Sequence, residues 1–162
     1  MSAYDLAAWT DFANTVAGGA AALAGLLFVG LSLNLSEVLE YPGVPSRAVA
    51  TLGLTVAILL IAIFVATPGQ GRQVLSIEIA VIGVVTAAMV SVAMRHQRAG
   101  PHRARVLTSM LMLLLPAVLL VVAAVSLWCQ LGGGLYWVTA AVTTGFVAAT
   151  ANAWVLVVEL KR

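Results

Sequence analysis

Charge is what this sequence has least of. Only 9% of its 162 residues are Asp, Glu, Lys or Arg, against about 25% in an ordinary soluble domain, which excludes a chain surrounded by water on all sides. Cysteine occurs once, at Cys129, so there is no intrachain disulfide and no Cys-x-x-Cys redox pair. Lysine also occurs once, at Lys161, which excludes a retinal-type Schiff base inside any apolar run. Histidine is confined to His96 and His102 in RHQRAGPHRAR, so no haem-ligating pair lies within a span and a metal site in that loop lacks further ligands. No His-Glu-x-x-His, no Ser-His-Asp set within the spans and no glycine-rich phosphate loop after a strand is present. No catalytic residue, cofactor site or metal site is expected, and the chain reads as a non-enzyme. The net charge of +2 is not a nucleic-acid footprint, because that needs a clustered basic face with stacking aromatics.

What is present is apolar: 62% hydrophobic residues and a mean hydropathy of +1.08. Charge-free stretches cover 12 to 36, 48 to 71, 73 to 94 apart from Glu78, and 106 to 158. About 20 apolar residues rising 1.5 Å each cross the hydrocarbon core, so each of the first three stretches supplies one helix. The fourth, roughly 80 Å long as a single helix, needs two, and Gly132, Gly133 and Gly134 divide it. Five spans follow: 12–35, 47–66, 73–94, 106–129 and 135–160. Helix is the expected form, since barrel strands alternate apolar and polar residues whereas these runs are apolar all round. The fold class is therefore all-α, a single polytopic membrane domain over 1–162. Pro42, Gly43 and Pro45, then Pro68, Gly69 and Gly71, then Gly100 and Pro101 mark the loops. Ala22-Leu23-Ala24 mimics a signal cleavage site, but the start carries Asp5 and Asp11 rather than a basic region, so the first span reads as retained.

Basic residues set the expected orientation. Arg47, Arg95, Arg98, Arg103, Arg105, Lys161 and Arg162 fall on one side of a five-span chain and Arg72 alone on the other. The basic side is cytoplasmic, which gives an outside amino terminus and a cytoplasmic carboxyl terminus in the plasma (inner) membrane. Trp9, Trp128, Tyr136 and Trp137 then fall at the outer interface, with Tyr41 and Trp154 near the inner one.

Three groups of residues are candidates for function. In span one, Asp11, Asn14, Gly18, Ala21, Ala22, Gly25 and Ser32 recur mostly every three or four positions and share a face. Gly18-x-x-x-Ala22 and Ala21-x-x-x-Gly25 allow close helix approach; the face either packs within its own bundle or forms a homo-oligomer seam. Asn152, on a stripe with Ala141, Gly145 and Ala148, reads as interhelical packing glue and is grouped with that seam. Glu78 is the one acid well inside an apolar run, about 9 Å along the helix from Arg72. It marks either an ion or polar site, with Asp11 and Asn14 on the same side, or a late start to span three at the headgroup level, or a simple pairing. Finally, Arg95, Arg98, Arg103 and Arg105 make a loop that is either simply solvated or touches anionic lipid or a cytoplasmic partner.

The segments GGAAALAGLLFVGLSLNL at 18–35, RAVATL at 47–52, PGQ at 68–70 and NAWVLVVEL at 152–160 resemble those of short bacterial integral membrane proteins of uncharacterised function. Some of these carry the label modulator of FtsH protease, which implies a membrane partner of an ATP-dependent protease. The resemblance transfers no catalytic residue. The leading expectation is a membrane protein acting through helix–helix association, as a homo-oligomer or with a membrane-protein partner. The alternative is a homo-oligomeric ion channel with Glu78 near the permeation path.

Overall fold

The computed structural model describes residues 3–40, 43–96 and 103–160, and these are helical with no strand. A short 3-10 turn, Leu6–Trp9, leads into α1 (Thr10–Leu33); α2 (Leu35–Glu40), α3 (Val44–Ala66), α4 (Arg72–His96), α5 (Arg103–Cys129) and α6 (Tyr136–Leu160) follow. The five long helices match the five expected spans to within three residues at every boundary. All five are long and apolar enough to cross a membrane.

The punctuation of the sequence explains where these helices stop. Asn34 ends α1 by turning its backbone out of helical geometry and donating its side-chain amide to the Gly30 carbonyl at 2.8 Å. Pro45 sits in the first turn of α3, where its missing N–H removes a donor that had no partner. Pro116 lies inside α5 without ending it.

Helices α3, α4, α5 and α6 close a four-helix ring, each packing on the next and α6 returning to α3. Neighbours in the ring are antiparallel. Arg47, in the first turn of α3, meets Asn152 near the end of α6, and a Cβ at Gly53 of α3 would touch the tip of Met89 near the end of α4. The tightest approaches use small residues: a Cβ at Gly83 of α4 would lie 3.1 Å from Leu120 Cβ and 3.2 Å from the Ala117 carbonyl of α5. One at Gly145 of α6 would lie 2.7 Å from Ile58 Cδ1. In lipid, where apolar contact by itself gains little, such close backbone approach is what holds helices together. Leu54, Ile58 and Ile61 of α3 join Leu75 and Ile79 of α4 and Leu113, Leu120 and Leu127 of α5 in the core.

Helix α1 stands outside this ring. It packs on α3 and barely meets α6. Of its residues only Ala13, Val16 and Ala20 are buried; beyond Ala20 the closest approach is the half-burial of Leu23, Ala24, Leu27 and Leu31.

Candidate functional site

The exposed face of α1 is the first candidate. Ala13, Val16 and Ala20 lie about 100° apart per residue around the helix and turn towards α3. The opposite side carries Asp11, Asn14, Gly18, Ala21, Ala22 and Gly25, and every one of them is exposed. A Cβ added at Gly18 or Gly25 meets nothing within 4 Å. Of the two readings open for this stripe, packing within its own bundle is not what the structure presents: small residues that do pack helices within this chain lie at Gly83 and Gly145. Large apolar side chains flank the stripe further along, with Leu26, Phe28, Val29 and Leu33 all exposed.

Glu78, on α4, is half-buried. Its carboxylate accepts from the Gln70 side-chain amide in the α3–α4 loop, so loop and helix are tied through this acid. Nearby, the Gln130 side-chain oxygen, set by its hydrogen bonds, accepts from the Arg72 guanidinium, 3.2 Å from Nη2. Asp11 and Asn14 do not join this group, because α1 and α4 do not form a packed pair. The expected Asp11, Asn14 and Glu78 cluster is not assembled within one chain: a common membrane level does not make two helices neighbours, and α3 accepts them on different flanks.

Asn152 belongs elsewhere again. It is 2% exposed, on the buried stripe of α6 with Ala141, Gly145 and Ala148, and is separated from the α1 stripe. Its Oδ1 accepts from Arg47 Nε at 2.9 Å and Nη2 at 2.8 Å. Arg47 is one of the basic residues that set the expected orientation, yet it is only 5% exposed. The available signal was positional: the start of span two and the end of span five share one side of the membrane, so Arg47 and the one amide in span five fall at one level. Thr51 and Thr55, one and two turns on, are also buried but return their hydroxyls to the carbonyls four residues back, which satisfies them locally.

In the basic loop, Arg95 is exposed and Arg103 and Arg105 open the first turn of α5. Arg98 and His102 lie outside the described residues, as does Tyr41. Among the described residues, no three His, Cys, Asp or Glu side chains converge as a metal ion requires.

The fold defines the class: a multi-pass α-helical membrane protein, four helices in a ring and a fifth outside it. No protein-family model, no curated protein and no solved structure matches the chain.

Proposed function

We propose that this protein is a non-enzymatic membrane protein that works by helix–helix association through the exposed face of α1. The observation that carries the reading is the contrast within one chain. Glycines on the ring helices are filled to contact, while Gly18 and Gly25 on the outlying helix face open space. Exposed small residues on a membrane helix give little to lipid but allow a second helix to approach to backbone distance. The partner is a second copy or another membrane protein; the resemblance to proteins labelled modulator of FtsH protease points to a membrane protease complex as one such partner. In this reading the basic residues mark the cytoplasmic side, which supports an outside amino terminus and a cytoplasmic Arg95, Arg98, Arg103 and Arg105, available to anionic lipid or a cytoplasmic partner.

This reading is favoured over an oligomeric channel lined by Glu78, because the Glu78 carboxylate is engaged by Gln70 on a helix that does not pack with α1. The test is cross-linking and copurification of Gly18→Leu and Gly25→Leu against the parent in native membranes. Loss of the cross-linked species with the helical fold retained supports the seam; unchanged capture in both variants removes it. Asp11→Asn separates the partners. Two parallel copies bring two Asp11 carboxylates together, so the neutral variant strengthens self-association, whereas capture of a partner bearing a cation at that level weakens.

A further inference from the structure

The chain's first described residues lie across the turn between α5 and α6. Leu135, just before α6, donates its backbone N–H to the Ala3 carbonyl at 2.9 Å, and Gly133 donates to the Tyr4 hydroxyl at 3.1 Å. The rest of that turn is committed internally. Ser126 accepts from the Gly134 N–H at 2.8 Å and donates to the Leu131 carbonyl, while the Trp137 indole donates to the Gly132 carbonyl at 2.7 Å.

Gly134 is the position that admits the segment. Its φ is +52°, and a Cβ there would lie 2.7 and 2.8 Å from the Tyr4 ring and would also run into the Ala3 carbonyl. Next along the segment, Trp9 is buried and stacks edge-on against Tyr136, with ring centroids 5.0 Å apart. Residues 3 to 9 thus link the outlying helix to α6, which α1 itself barely meets.

We propose that residues 3 to 9 form a strap whose docking on the α5–α6 glycine turn holds α1 in place against the ring, and whose release lets α1 change position. Helix α1 is otherwise anchored on α3 alone, through the small side chains Ala13, Val16 and Ala20, so the strap supplies its tie to the α5–α6 side of the ring. Releasing the strap removes the hold at the end from which the rest of the helix extends. The consequence for association rests on the α1 reading above, because the strap then governs how the exposed face is presented.

The test uses the full chain in nanodiscs, carrying Tyr4→Ala or Gly134→Ala. Tyr4→Ala leaves the turn's own backbone untouched, which separates undocking from strain at Gly134. Amide exchange at Leu135 reads docking. A spin-label distance between Ala22→Cys and Val147→Cys, both exposed sites, reads the position of α1 in a Cys129→Ser background.

Both variants are expected to raise Leu135 exchange about tenfold, the loss of one or two ordinary hydrogen bonds, and to broaden the distance distribution, with Gly83 exchange unchanged. Unchanged Leu135 exchange in both variants overturns the strap. Faster exchange with an unaltered distance distribution overturns its hold on α1. Cross-linking through α1 in matched samples without the spin-labelled cysteines, where the seam residue Ala22 is intact, is expected to change in yield, and an unchanged yield overturns control of association by the strap. A parent that shows no α1 cross-link sinks the association reading alone, since exchange and distance still decide the strap.

Discussion

The Arg47 guanidinium and the Asn152 side-chain oxygen, 105 positions apart in sequence, are joined by two hydrogen bonds of 2.9 and 2.8 Å that pin the first turn of α3 to the last turns of α6. The pair closes the four-helix ring where α6 returns to α3. A guanidinium in a membrane bundle is costly unless polar groups receive it, and here an amide oxygen takes two of its donors.

Asn152→Ala removes that shared acceptor. It is expected to destabilise the bundle by ~1–3 kcal/mol, the usual result of taking a partner from a buried polar group. Asn152→Asp keeps an acceptor in place and adds charge complementarity, so it retains most of the stability. Thermal unfolding of the purified protein in a mild detergent ranks the two; an alanine variant as stable as the parent contradicts the role of the pair.

Glycine substitutions separate the ring from the outlying helix. Gly83→Val drives a branched side chain into Leu120, Val121 and the Ala117 carbonyl, all 3.1–3.2 Å from the first added carbon, and is expected to cost ~1–3 kcal/mol by overpacking. Gly18→Val meets open space and changes stability by less than ~0.5 kcal/mol, as surface substitutions do. Equal melting temperatures for the two variants contradict the division of labour between these glycines.

Glu78→Gln retains an oxygen that accepts from the Gln70 amide while removing the charge. The expected outcome is a folded protein in which the α3–α4 loop keeps its protection, read as amide exchange at residues 69–72. Vesicles loaded with a cation-sensitive dye are expected to show no flux with either parent or variant. A parent flux that the variant abolishes restores a permeation role for this carboxylate.

Much of this architecture was legible in the sequence, and the elements show why. Four runs free of charge apart from Glu78, the last divided at Gly132–Gly134, with the Pro68–Gly71 turn between the second and third, suffice for five helices, because a chain in hydrocarbon must satisfy its backbone within each segment. The periodicity of Gly18, Ala21, Ala22 and Gly25 likewise reads directly as one face. What that face meets does not, since Gly83 and Gly145 carry a similar small-residue signature and are filled. The Arg47–Asn152 pair escaped for a related reason: a basic residue at a span boundary is the ordinary mark of orientation, and nothing local says that this one turns inward.

Composition and periodicity alone therefore determined the number of helices, their limits and the residues that share each face, all of which depend on neighbours within a few turns. Only the tertiary structure decided that α3 to α6 form the ring, that α1 stands outside it with its small residues uncovered, and that Asp11 and Glu78 stay on separate flanks of α3. These depend on which helix packs beside which. That choice is made by steric fit at contacts such as Gly83 against Ala117 and Gly134 beneath Tyr4, between residues far apart along the chain.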